Sequence, residues 1–210
     1  MSRSDAAKES FALRDLSFYS QVARLHMEGI NQGFLPQLGL GFMTLLYEAI
    51  DRSPDAVLLV EQQGDRVLGF VSGAGSMKPI YKQLLRRIIH LIAVLAPSIV
   101  RPARLKRIFE ILRYSRSAHQ QEVPALPTFE LLSIVVSPET RGTGCADKLY
   151  KKLTQYCEAR DIEAFKIVVG DALVPAHKFY QRMGAIAAAR IEVHKGEGSV
   201  VYVHTITRRK

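Results

Sequence analysis

The stretch of this sequence best suited to chemistry runs Val136-Ser137-Pro138-Glu139-Thr140-Arg141-Gly142-Thr143-Gly144-Cys145-Ala146, between an apolar segment and an amphipathic one. The first turn of a helix carries N–H groups without intrahelical partners and about half a positive charge, so it attracts anions. Gly142 and Gly144 let a phosphate come close to the backbone, and Arg141 adds a permanent charge with a planar fork of donors. An anion site, of the kind that takes a phosphate, is expected here. The spacing is not the Walker pattern, which requires Gly-Lys-Ser/Thr, nor the dinucleotide fingerprint, which requires a third glycine where the helix packs. Cys145 stands where a helix N-terminus lowers a thiol pKa. The sequence indicates no partner histidine, so close backbone approach rather than nucleophilic attack is expected there.

These groups need a scaffold, and the hydrophobic pattern supplies one. Residues 128–136 are apolar on both faces apart from Glu130 and Ser133, the pattern of a central strand covered on each side. Residues 145–160 read as a helix with Ala146, Leu149, Tyr150, Leu153 and Cys157 inward and Asp147, Lys148, Lys151, Lys152 and Glu158 outward. A buried strand at 164–169 follows, then a short helix opened by Pro175 and reaching 183. A closing hairpin pairs 191–195 with 200–207 across Gly196-Glu197-Gly198. Upstream, the pattern predicts a short strand at 11–13, a helix over 16–28 ended by Gly29, a loop at 33–36 and a second helix ending near 51. A hairpin of 56–61 and 66–73 comes next, turning at 62–65. Tyr81, Leu84, Leu85, Ile88, Ile92 and Leu95 trace a stripe over 80–95, and a second stripe follows Pro97 and Pro102, giving a helical hairpin inserted between strands. The expectation is one α/β domain over 1–210, a mixed sheet flanked by helices, with a basic helical insertion at 78–116.

Arg141-x-x-Gly144-x-Ala146, preceded by Val136-x-Pro138-Glu139, resembles the acyl-CoA signature of the GNAT superfamily. Ala176-His177-Lys178-Phe179-Tyr180-Gln181-Arg182-Met183-Gly184-Ala185 is similar to that superfamily's Ala-x-x-Phe-Tyr-x-x-x-Gly-Phe segment. The resemblance spans residues 129–185 and implies a twisted, mostly antiparallel mixed sheet whose central strand splays from its neighbour. It further implies that the backbone of Arg141, Gly142, Thr143, Gly144, Cys145 and Ala146 grips the pyrophosphate of acetyl-CoA. Ile134, Val135 and Val136, chiefly through the free backbone of Ile134 and Val136, and Phe179 would complete the coenzyme site. Tyr180 would protonate the departing thiolate, and Glu130 would act as general base through water. The activity implied is acyl transfer, acetyl being the expected group, from coenzyme A to a primary amine by direct attack, with no metal required. The alternative is a non-catalytic acyl-CoA sensor or a membrane-associated module on the same fold. This sequence departs from the pattern at Leu173, where Asn is common, and at Ala185, where an aromatic is. Asp171 is the candidate to replace the missing polar contact. His26 and Glu28 are candidate acceptor contacts, and Lys148, Lys151 and Lys152 are candidates for the coenzyme 3′-phosphate.

The net charge of +9 comes from residues 78–116 alone, which hold ten Lys and Arg against Glu110. An anionic membrane surface, an anionic acceptor, or packing of the apolar stripe on the core or a homodimer partner would each account for this segment. Nucleic acid is the weakest partner, because only Tyr81, Phe109 and Tyr114 are aromatic there and no reading motif is present. Cys145 and Cys157 lie twelve positions apart, roughly 18 Å along one helix, so no disulfide is expected. With no apolar leader near the start, the reading is cytoplasmic. The longest apolar run, 88–100, falls short of the ~20 residues of a spanning helix.

Overall fold

The computed structural model of the chain describes residues 14–30, 35–87, 126–194 and 197–207. The expected strand at 11–13, the start of the loop at 33–36 and the insertion beyond residue 87 lie outside them.

Helix α1 spans Leu16–Gly29 and starts where Asp15 accepts a hydrogen bond from the Phe18 amide at 2.9 Å, a side-chain N-cap. Its Phe18, Tyr19, Val22, Ala23, Leu25 and His26 are buried. After a 3₁₀ turn at Leu35–Leu38, Gly39 takes a φ of +90° and α2 runs over Leu40–Asp51, buried along nearly its whole length. Two acids on α2 lie inside, and each has cations. Glu48 meets Arg52 at 3.0 Å and Arg87 at 2.7 Å, while Asp51 meets Arg14 at 2.9 Å and the Tyr19 hydroxyl at 2.9 Å. Buried carboxylates without such partners would destabilise the fold by several kcal/mol, on the order of 3–5.

Strands β1 (Ala56–Gln63) and β2 (Arg66–Ala74) form the expected hairpin, turning at Gly64 with φ +57°. Helix α3 covers Met77–Arg86, with Ile80 and Leu84 in the core and Lys78 and Lys82 exposed. The first ten residues of the basic segment therefore pack on the protein itself. Strand β3 (Glu130–Val136), a 3₁₀ turn at Pro138–Thr140, helix α4 (Cys145–Glu158), strand β4 (Ala164–Gly170), helix α5 (Val174–Arg182) and the hairpin β5 (Ile186–His194) and β6 (Glu197–Thr205) follow. The sheet order is β1-β2-β3-β4-β6-β5, antiparallel except for β3 and β4. Sequence reasoning missed the first half of β5, because its alanines at 187–189 are weak strand formers. Pairing with β6 overrides that propensity.

Two apolar clusters cover the two sheet faces. Val22, Tyr47, Phe70 and Ile80 centre the one beneath α1, α2 and α3, and Leu149, Tyr150, Phe165 and Ile167 the one beneath α4 and α5. Among the described residues no helix is long and apolar enough to cross a membrane.

Candidate active site

One extra residue opens the sheet. β2 pairs Ser72 with Ser133 and then Gly73 with Leu131, so Leu132 is a bulge in β3, and a bulge bends its strand. β3 and β4 pair at Glu130–Lys166 and Leu131–Ile167 and nowhere beyond, whereas β4 stays paired with β6 as far as Gly170–Ser199. From Leu132 to Val136 the β4 side of β3 has no strand partner. The Ser137 amide donates to Leu68 on β2 at 2.8 Å, and backbone direction alternates along a strand. Ser133 and Val135 thus turn their backbone groups to β2, and Ile134 and Val136 turn theirs into the open groove. Val135 stands apart from the groove in its side chain too, 7% exposed and lying directly under Gly29 of α1.

The groove opens onto the glycine loop. Gly142 and Gly144 have φ of +77° and +82°, values that disfavour any side chain, and no protein atom lies within 4 Å of where a Cβ would stand on either. Packing therefore does not demand glycine here; the backbone conformation does, and it leaves the loop bare. Gly144 is the N-cap of α4 and offers no side-chain cap. Among the described residues, the amides of Gly142, Gly144, Cys145, Ala146 and Asp147 meet no protein acceptor, and the exposed Arg141 makes no ion pair. Thr143 instead spends its hydroxyl on the Thr140 carbonyl at 2.8 Å. Burial pushes the Cys145 thiol above its ordinary value, so a thiolate nucleophile is disfavoured.

Helix α5 brings Tyr180 to the same region. The ring is 7% exposed, against Tyr150, Phe179 and Tyr202, and its hydroxyl makes no hydrogen bond among the described residues. Burial raises its pKa, which keeps the phenol protonated and able to donate at neutral pH. Phe179, half-buried, lies edge-on to both Tyr150 and Tyr180. Two contacts invisible in the sequence hold α5 in place. Arg182 grips Asp147 in the first turn of α4 through two bonds of 2.6 and 2.7 Å, and His177 lies between the Tyr202 hydroxyl at 2.9 Å and the Gly170 carbonyl at 3.1 Å. Their partners stand 35, 25 and 7 residues away, and no local pattern reports them.

Glu130 lies at the other end of β3, where β3 and β4 are still paired, 3.6 Å from Lys166. Burial pushes its carboxyl above the ordinary glutamate value, and Lys166 pulls it back in part. Other expected contacts are engaged elsewhere. His26 is buried and bonded to Tyr47, and Asp171 pairs with Arg190. Lys148 and Lys152 both hold Glu61. Glu28, Lys151 and Leu173 remain exposed. A concavity of about 470 Å³ beside β1, lined by Arg14, Val60, Lys152 and Tyr156 among others, includes no glycine and no helix N-terminus. The groove with its loop is the better site on chemical grounds.

Splayed strands, a glycine-lined loop of free amides and a buried phenol together make the candidate active site. The model of the GNAT acetyltransferase family matches residues 27–185, and the chain belongs to that family. Solved structures agree on the fold. The chain is 14% identical to an N-acetyltransferase from Staphylococcus aureus Mu50, with a TM-score of 0.56 over 92% of this chain and 96% of that one. It is 10% identical to an aminoglycoside 6′-N-acetyltransferase complexed with coenzyme A, with a TM-score of 0.57 over 91% and 92%. It is 11% identical to the ribosomal-protein-S18-alanine N-acetyltransferase from Escherichia coli, with a TM-score of 0.53 over 94% and 93%. No curated protein matches the sequence.

Proposed function

We propose that the protein transfers an acetyl group from acetyl-CoA to a primary amine by direct attack. The observation that carries this reading is the continuity of the groove between β3 and β4 with the uncapped, glycine-lined start of α4. The diphosphate of the coenzyme would take the free amides of Gly142, Gly144, Cys145 and Ala146, with Arg141 beside it, and the extended arm would use the groove-facing backbone of Ile134 and Val136 as a missing strand would. Six residues separate Glu130 from Val136, roughly 20 Å of strand, so Glu130 lies at the far, closed end of the groove.

Attack of a neutral amine on the thioester carbonyl forms a C–N bond and then breaks the C–S bond. An amide N–H of β3 would stabilise the developing oxyanion, and the Tyr180 hydroxyl would protonate the sulfur as it leaves. Glu130, ionised above its raised pKa, would take the amine proton through water. The family supports acyl-CoA use, and acetyl is the proposed acyl group.

The test is release of free thiol from acetyl-CoA by the purified protein, across a panel of small amines, amino sugars and peptides with a free N-terminus. Release with at least one amine, accompanied by its acetylated product, supports the assignment. Tight acetyl-CoA binding without release for any amine would favour the sensor alternative, and absence of binding would remove both.

A further inference from the structure

Beyond its last pair with β3, strand β4 is tied to other elements. The Lys166 amide donates to Phe129 at 2.9 Å and the Asp171 amide to Gly198 on β6 at 3.0 Å, so backbone direction alternates and Gly170 turns its carbonyl to the open side. That carbonyl is spent on α5 and the turn before it. It accepts from the Leu173 amide at 2.9 Å and from His177 Nε2 at 3.1 Å. A carbonyl only accepts, so Nε2 carries a proton in this bond. Nδ1 makes the second bond of the ring, 2.9 Å to the Tyr202 hydroxyl on β6. One side chain of α5 thus joins the last residue of β4 to the neighbouring strand.

Tyr202 leads on to Tyr180. Its buried ring lies 5.6 Å from that of His177 and 6.4 Å from that of Tyr180, centroid to centroid. Tyr180 also follows His177 by three positions, one turn on along the same side of α5. No hydrogen bond among the described residues aims the Tyr180 hydroxyl, so its direction rests on the rings around it: Tyr150, Phe179 and Tyr202. Phe179 has no polar atom on its ring, and the Tyr150 hydroxyl is buried without a partner among the described residues. Tyr202 is therefore the one ring of the three that hydrogen bonds hold in place, from His177 and, at 3.5 Å, from Gln181.

We propose that His177 is a positioning residue for acyl transfer: by bonding Gly170 and Tyr202 at once it fixes α5 on the splayed end of β4, and through the Tyr202 ring it aims the Tyr180 hydroxyl at the coenzyme sulfur. It exchanges no proton with substrate. The inference rests on the acyl-CoA reading above, with Tyr180 as its acid.

The test needs no acceptor. A phenol held against the sulfur favours the thiolate, so the thiol of bound CoA should titrate about one pH unit below that of free CoA, read from the ultraviolet absorbance of the thiolate against a desulfo-CoA control. Tyr180→Phe should abolish that shift, which assigns it to the phenol. His177→Phe is expected to remove most of the shift while CoA affinity, from calorimetry, stays within about three-fold. His177→Gln, which keeps a donor for Gly170, should restore part of it. Tyr202→Phe keeps the ring and loses only the hydroxyl; it should weaken the shift as well, and it carries the test if His177→Phe does not fold. Lys178→Ala, on the exposed side of α5, should change neither readout. Folded His177→Phe or Tyr202→Phe protein whose bound CoA titrates as in the wild type would overturn the proposal. If the wild type binds no CoA the acyl-CoA reading fails, and if it binds CoA with an unshifted thiol the role of Tyr180 fails. Either result takes this inference with it and is visible before any variant is made.

Discussion

The two ends of β3 are built on opposite terms. At Glu130 and Leu131 the strand is paired on both sides and closes on an ion pair; from Leu132 onward it is paired on one side only and runs out into a loop of bare amides. One inserted residue separates the two regimes. The closed end gives rigidity and a partly desolvated carboxylate, while the open end leaves donors without a protein partner among the described residues. The strand thus joins a stable anchor to the proposed binding surface.

Substitutions at the two ends should differ accordingly. The largest effect is expected at the open end. Gly144→Val forces a β-branched side chain into φ +82° and over the loop, and should weaken acetyl-CoA binding by roughly 100-fold or more, read by calorimetry on protein shown folded by circular dichroism. Tyr180→Phe should lower turnover by about 100-fold while acetyl-CoA affinity stays within about two-fold, a split that steady-state kinetics would reveal. Equal loss in both would make Tyr180 a packing residue.

At the closed end the sign of the stability change is the test. Burial raises the Glu130 pKa, so its contribution to stability is fully present below the usual glutamate value and is lost as pH rises through the raised one. Glu130→Gln should therefore unfold in urea at pH 7 no more easily than the wild type, within about 1 kcal/mol, yet be slower in transfer. The rise of kcat/KM with pH on the acid side should vanish in that variant. A large loss of stability would instead make the Lys166 ion pair its main role.

Between the ends, His26 has a pKa lowered to about 4 by burial, so its neutral form stabilises the fold above the usual histidine value and that stability drains as pH falls from about 6.5 toward 4. The full loss is on the order of 3 kcal/mol. Urea titrations across that range should slope less steeply for His26→Gln. The smallest effect is expected for Arg182→Ala. Its ion pair with Asp147 is exposed, so stability should move by less than about 1 kcal/mol, while a looser α5 should show as a modest fall in turnover.

Much of this was legible in the chain. The strand at β3, the loop with Gly142 and Gly144, the helix after it and the segment around Tyr180 all follow from local pattern, because a helix N-terminus with glycines announces an anion site by chemistry alone. The basic segment was legible as charge and stripe; α3 turns Leu84 of that stripe into the core with Tyr81 packed against it, while Ile80, outside the stripe, is the residue most deeply buried there. His26 misled as an acceptor contact, since its neighbour in space, Tyr47, lies 21 residues on, and nothing local says that α1 and α2 pack face to face.

Sequence by itself determined most of the elements and where glycines bare the start of a helix, since hydrophobic period, glycine and the helix terminus act within a few residues. Only the tertiary structure decided that Leu132 is the bulge, that the Val135 side chain lies under Gly29, and that Arg182 holds Asp147. Those facts depend on register and on pairs distant along the chain, which the free energy of the whole fold selects and no short stretch can encode.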